Sequence, residues 1–192
     1  MSGHTRLVLD AEALAHNYGV LRSKTAPGTA LLGVVKAMAY GSDSLFVAQT
    51  LAQLGIDYLA VAYVPEGVAL REAGIHTPIL VLHPQLDQLD DLWKYCLEPS
   101  VYSFRILKAL SASKEQLPIH IKLNTGLNRL GFDRKDLAQL GDLLNQTPHL
   151  TRTGILSHLA ASEDPEQDEY TWGQWAEFTA MSEELAEKTG GF

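Results

Sequence analysis

The residues with the clearest chemical potential begin at Lys36. The run Leu31-Leu-Gly-Val-Val-Lys36 is apolar and strand-forming, and it delivers a lysine at its C-terminal end. A lysine held there is partly desolvated, which favours the neutral amine, and a neutral amine can attack a carbonyl to form a Schiff base. The plain alternative is a lysine that snorkels out of the end of a strand. Four residues on stands Tyr40, followed by Gly41. His83, Asn124 and His158 close three further apolar runs, and Arg129 lies in the loop Thr125-Gly-Leu-Asn-Arg-Leu-Gly131. Polar residues at the C-terminal ends of parallel strands are where catalysis sits in barrel architectures, although strand ends are also polar because loops begin there.

The elements that must position these residues follow a strand–helix rhythm. Residues 5–10 read as a short strand that ends at a helix N-cap, Asp10, and the helix turns Leu14, Tyr18 and Leu21 to one face. After the lysine strand at 31–36, Ser42-Asp43-Ser44 predicts a cap for a helix over 45–54 that stops at Gly55. Further strands are expected at 58–63, 78–83, 97–102, 119–124 and 153–158, the fourth weakened by Pro99. Helices are expected from Pro65 to near Gly74, and near 85–95, 103–112, 133–146 and 166–188. Such alternation means a parallel sheet with right-handed crossovers. An open sheet and a (β/α)₈ barrel both fit, but a barrel needs eight units and this chain supplies about six. Along the fifth strand His120, Lys122 and Asn124 alternate, so they face one way.

Composition narrows the classes. The 192 residues are 46% hydrophobic and 20% charged, ordinary for a globular domain. A formal charge of −8 argues against a nucleic-acid partner. Cys96 is the only cysteine, so no internal disulfide is available. No apolar run reaches membrane-spanning length, and Met1-Ser-Gly-His-Thr-Arg lacks a signal-like core, so the expected address is the cytoplasm. The seven histidines show no metal-ligand spacing. Glu163-Asp-Pro-Glu-Gln-Asp-Glu169 reads as a solvated helix entry.

Three segments together carry a resemblance. Val34-Val-Lys-Ala-Met-Ala-Tyr-Gly41, His120-Ile-Lys-Leu-Asn-Thr-Gly-Leu-Asn-Arg-Leu-Gly-Phe132 and Gly154-Ile-Leu-Ser-His-Leu-Ala160 resemble, in order and spacing, the motifs of the alanine racemase family. The resemblance implies an α/β fold, a pyridoxal-phosphate-binding TIM-type barrel left incomplete at about six units. Residues 1–10 would be a strand of a missing β-domain, and residues 11–192 the partial barrel. It implies that Lys36 holds pyridoxal 5'-phosphate as an aldimine and moves the Cα proton, that Tyr40 bonds the cofactor phosphate, and that His158 lies beside the ring. Arg129 would bind the substrate carboxylate in two places, and Lys122, which can be carbamylated in the family, would orient it.

The implied activity is interconversion of L- and D-alanine for peptidoglycan synthesis, by a homodimer in the full-length protein. A non-catalytic pyridoxal-phosphate barrel or a decarboxylase of the same fold is the alternative. The family's opposite-face base is a tyrosine of a partner subunit's β-domain, outside this segment, so the fragment alone is expected to be inactive. Met38 and Ser42-Asp43 stand where the family commonly has Asn and His, and Ser157-His158-Leu159 replaces Thr-His-Phe. The flavour of Asp57-Tyr-Leu-Ala-Val-Ala-Tyr63 and of 158–165 looks most like racemase domains fused behind a peptidoglycan-precursor (UDP-MurNAc-tripeptide–D-Ala-D-Ala) ligase.

Overall fold

A computed structural model describes residues 5–191. The chain divides into two compact units, Met1–Leu97 and Glu98–Phe192.

In the first unit, Asp10 accepts hydrogen bonds from the backbone N–H groups of Glu12 and Ala13 at 2.9 and 3.0 Å and so starts α1 (Ala11–Ser23). Three short parallel strands follow: β1 (Leu32–Val34), β2 (Tyr58–Val61) and β3 (Ile79–Val81), with β2 between the other two. Between β1 and β2 lie α2 (Lys36–Gly41) and α3 (Ser44–Gln53), the latter capped by Asp43 through the Phe46 N–H at 2.8 Å. Pro65 in its first turn opens α4 (Val64–Glu72), and α5 (Leu89–Lys94) follows β3 after a short 3₁₀ turn. Leu59, Val61, Ile79 and Val81 are fully buried, because these strands are covered from both sides. Arg71 ties the unit's lower loops, donating to the carbonyls of Ile75, Thr77, Tyr95 and Cys96 at 2.7–3.0 Å.

In the second unit the parallel strands are β4 (Glu98–Val101), β5 (Leu117–Lys122) and β6 (Leu150–Leu156), with β5 in the middle. They alternate with α6 (Phe104–Ser111), α7 (Leu137–Asn145) and the long α8 (Asp168–Thr189), which Gly190 ends in a left-handed cap at φ +75°. Ser103 caps α6 through the Ile106 N–H. Ile119, Ile121 and Leu123 line one face of the β5 strand and its extension at 0–1% exposure. His120 and Lys122 take the other face, the alternation expected of them.

Of the seven expected strands, the six from Leu32 onward form. Residues 5–9 pair with no strand among the described residues, and Leu7 and Val8 are 65% and 83% exposed. The expected sheet partner was in another domain, which would have to supply the ladder; residues 1–4 of that segment lie outside the described residues. Pro99 is buried in β4, and the residues that pair with β5 are Ser100 and Val101, beyond the proline, in keeping with a strand that the proline shortens. Strand β6 starts at Leu150, three residues before Thr153.

Asp57, at the entry to β2, accepts from the Leu31 backbone N–H at 2.7 Å and from Arg22 at 2.6 Å. The Leu31 bond, then Arg22, holds its carboxyl below the usual carboxylate range. A depressed folded pKa adds stability that is fully present above the unfolded value, about 4, and is lost as the pH falls through the folded one. The wild-type chain is therefore expected to lose more stability between pH 6 and pH 3 than Asp57→Asn. Urea midpoints of both at the two pH values check it; equal losses would refute the role given to Asp57.

Candidate active site

The chemistry-bearing residues fall into two groups, one in each unit. In the first unit, Gly33 faces α3: a Cβ there would meet Leu51 Cδ1 at 2.7 Å. Lys36 follows the strand as the first residue of α2, two residues past the end of β1. It is half-buried, its ammonium lies 6.0 Å from the centre of the Tyr40 ring, and it makes no hydrogen bond or ion pair among the described residues. Tyr40 is 71% exposed.

The turn that joins the two is left-handed. Ala37, Met38, Ala39 and Tyr40 have φ of +48° to +59° and ψ of +41° to +53°, and Gly41 follows at φ +88°. The bonds Ala39 N–H to Val35 O (3.1 Å) and Ser42 N–H to Met38 O (2.7 Å) make it one turn of left-handed α-helix. Left-handed geometry brings Cβ against the following carbonyl, which costs about 1–2 kcal/mol per residue, or about 4–8 kcal/mol over four non-glycine residues. Strain of that size persists only where surrounding bonds over-determine the backbone, and it gathers at functional sites.

The surrounding bonds come from Glu66, which sequence reasoning missed, and from Ser44, expected only as part of a helix cap. Glu66 accepts from the Ala37 N–H at 2.8 Å through Oε1, and from Ala62 and Tyr63 N–H at 2.6 and 3.0 Å through Oε2. Ser44 Oγ donates to Val35 O at 2.7 Å. The one available signal was that Glu66 sits three residues after Tyr63, a helix-start spacing. His83, expected at the rim, follows β3 and meets the Tyr63 ring edge-on at 5.6 Å.

Asparagine tolerates left-handed geometry better than other side chains with a Cβ, and Met38 is 66% exposed with φ +55°. Met38→Asn is therefore expected to stabilise the chain by about 0.5–1 kcal/mol, raising Tm by roughly 1–4 °C. A thermal melt decides it, and a lower Tm would mean that Met38 is held by packing instead.

In the second unit, Lys122 is 7% exposed on β5, directly before the loop that carries Arg129. Two positions below it, His120 Nε2 lies 2.7 Å from Glu98 Oε2 in a largely buried pair. Asn124, expected among the chemical residues, organises the Arg129 loop. Its Oδ1 accepts from Asn128 N–H at 2.9 Å, and its amide donates to Asn128 Oδ1 (3.0 Å) and Asp133 Oδ1 (2.9 Å). That last bond, then Lys135, holds the Asp133 carboxyl below the usual range. Arg129 itself is exposed and makes no hydrogen bond or ion pair among the described residues.

His158 is exposed just after β6. Gln174, 2% exposed on α8, accepts from Ala160 N–H at 2.9 Å and donates to His158 O at 3.3 Å. Tyr170 on the same helix donates to Gly126 O at 2.8 Å, so α8 straps both rim loops of this unit. The Ser157 hydroxyl, at the position where the sequence departs from Thr, bonds Thr125 Oγ1 at 2.7 Å and donates to Leu123 O at 3.0 Å.

The geometry leaves, in one unit, an unpartnered primary amine beside an exposed phenol on a strained turn. In the other it leaves an unpartnered guanidinium on a rigid loop. A Schiff-base cofactor with a phosphate, and a carboxylate substrate, are the ligands these donors suit.

Comparison with known proteins shows the family. Residues 9–191 match the family described as alanine racemase, N-terminal domain. The chain is 39% identical over 167 residues to an alanine racemase of Nostoc sp., covering 82% of this chain and 43% of that protein. It is 32% identical over 192 residues to one from Thermodesulfovibrio yellowstonii, covering 96% and 51%. It superposes on the Clostridium difficile 630 alanine racemase in complex with cycloserine with a TM-score of 0.86 at 29% identity, over 92% of this chain and 50% of that one. For the Corynebacterium glutamicum alanine racemase the TM-score is 0.85 at 31% identity, over 94% and 52%. These likenesses bear out the α/β class and the incomplete barrel. The chain spans about half the length of the relatives it matches.

Proposed function

Because this chain belongs to the alanine racemase family through that family's N-terminal domain, we propose that it supplies the pyridoxal-phosphate-binding part of an enzyme that interconverts L- and D-alanine. The observation that carries the reading is Lys36, an amine without hydrogen-bonding or ionic partner among the described residues, delivered with Tyr40 on a left-handed turn. The donor set fits the cofactor: a primary amine for its carbonyl carbon and a phenol for its phosphate. Pyridoxal phosphate, when bound, supplies the electron sink that makes the substrate Cα–H bond acidic.

The chain's own residues do the rest. Lys36 Nζ holds the cofactor and takes or returns the Cα proton on one face. The Tyr40 hydroxyl donates to the phosphate, and His158 lies beside the ring. Arg129 receives the alanine carboxylate with its planar fork, and Lys122 supports that arginine. Racemisation needs a proton donor on each face; Lys36 serves one, and the other is expected from the rest of a full-length homodimer. Residues 1–10 would join the sheet of the domain that completes it. No described helix is long and apolar enough to cross a membrane, and a cytoplasmic enzyme feeding cell-wall synthesis is the setting we propose. The ligase-fused branch rests on the sequence resemblance alone.

Incubating the chain with pyridoxal phosphate, reducing with borohydride and mapping the labelled peptide tests the reading. A visible absorbance band is expected, with the label on Lys36 and lost in Lys36→Ala. Label spread over the exposed Lys24, Lys108 and Lys114 in the folded chain would overturn it.

A further inference from the structure

We propose that Glu66 is the positioning residue for Lys36: its carboxylate fixes the direction in which the lysine leaves the backbone. The inference rests on the cofactor role proposed for Lys36.

Two peptide planes flank the Lys36 Cα, and each is pinned from outside. The plane before it carries Val35 O, which accepts from Ser44 Oγ at 2.7 Å and from Ala39 N–H at 3.1 Å. Val35 is itself fully buried, with its N–H bonded to Ala60 O at 2.8 Å. The plane after it carries the Ala37 N–H, which donates to Glu66 Oε1 at 2.8 Å. With both planes held, φ and ψ of Lys36 are set, and so is its Cα–Cβ bond. The Ser44 bond arises within the same loop. Glu66 reaches across from the next strand–helix unit, where its second oxygen is anchored on Ala62 and Tyr63 N–H at the end of β2.

Nothing in Ala37-Met-Ala-Tyr40 favours left-handed geometry, so the turn relaxes unless something outside holds its first peptide. A carboxylate suits the task. Three N–H groups converge on it, and both its oxygens accept only. In Glu66→Gln the single oxygen retains Ala62 and Tyr63, and the amide NH₂ then faces the Ala37 N–H, donor against donor. That substitution keeps the helix start and releases the turn.

The test uses the intact polypeptide as wild type, Glu66→Gln and Glu66→Gln with Ala37→Gly. In Glu66→Gln, borohydride capture of pyridoxal phosphate on Lys36 is expected to slow about tenfold. The alanine kcat should fall about as much, KM should stay within about twofold, and the unfolding midpoint should change little. Amide exchange at Ala37 should quicken while that at Tyr63 does not. Adding Ala37→Gly removes left-handed strain from the first residue of the turn and should recover part of the loss, which a general weakening of the fold would not allow. Capture and kcat at wild-type levels in Glu66→Gln, or no recovery with glycine, would overturn the proposal. Should Glu66→Gln not fold, Glu66→Asp, one methylene shorter, carries the same measurements. Wild-type protein that shows no capture on Lys36 would instead refute the cofactor reading, and Ala37 amide exchange would still report on the clamp.

Discussion

Gly131→Ala is expected to destabilise the chain by about 2–5 kcal/mol, lowering Tm by roughly 10 °C. Gly131 ends the Arg129 loop at φ +133°, and a Cβ built there lies 2.6 Å from both Asn124 N and the Leu123 carbonyl carbon, with Leu123 O at 3.0 Å. These are backbone atoms of the adjacent segment, which cannot rotate away. They also belong to the bridge that closes the loop: Asn124 N–H donates to Phe132 O and Phe132 N–H donates to Lys122 O, each at 2.9 Å. Moving Gly131 strains both bonds and lifts Phe132, 2% exposed, from its edge-on contact with Phe104 at 5.0 Å.

Gly126, at the other end of the loop, provides the comparison. Its φ of +131° is nearly the same, but an added Cβ first meets the Tyr170 hydroxyl at 2.6 Å, the end of a side chain that can swing. The two alanine variants therefore share the backbone penalty and differ in what blocks the methyl. Thermal melts should show the larger drop for Gly131→Ala. Equal drops would mean that φ alone, and not the backbone clash, sets the cost.

Most of what places these loops could be read before the fold was known. Each apolar run from Leu31 onward became a parallel strand, and the capping residues Asp10 and Asp43 start the helices they precede. These features are local: burial selects apolar runs, and a side-chain oxygen one step before a helix satisfies its free N–H groups. Lys36 at a strand end was legible for the same reason. The left-handed turn after it was not. Ala37-Met-Ala-Tyr40 are residues that favour a right-handed helix when taken alone, and the hand is decided by bonds from Glu66 and Ser44, 29 and 9 residues away in sequence.

Asn124 shows the same limit from the other side. Its residue type and rim position suggest chemistry, but all of its side-chain bonds go to Gly126, Asn128 and Asp133. It shapes the loop on which Arg129 stands. Residue type and strand position identify a rim residue. Whether it reacts or holds another residue depends on its partners in space, which no spacing in the chain records.

Replacing Lys36 by arginine in the intact polypeptide is expected to lower kcat for alanine racemisation by about 10³-fold or more. Arginine keeps the positive charge and much of the length, but its guanidinium stays protonated at any working pH and offers no nucleophilic amine. A loss that arises only from missing charge would be small in this variant, whereas a loss of nucleophile and base would be nearly complete. Stability should change little, since Lys36 is half-buried and makes no hydrogen bond or ion pair among the described residues. Tyr40→Phe sets the scale for a binding contact. The ring and the turn remain, only the hydroxyl proposed to bind the phosphate is removed, and cofactor affinity should fall by about 10- to 100-fold with the fold intact. Steady-state racemisation and cofactor titration on the two variants separate the roles. If Lys36→Arg retained activity within tenfold of wild type, the proton on that face would have to be moved by another group, and the role proposed for Lys36 would fall.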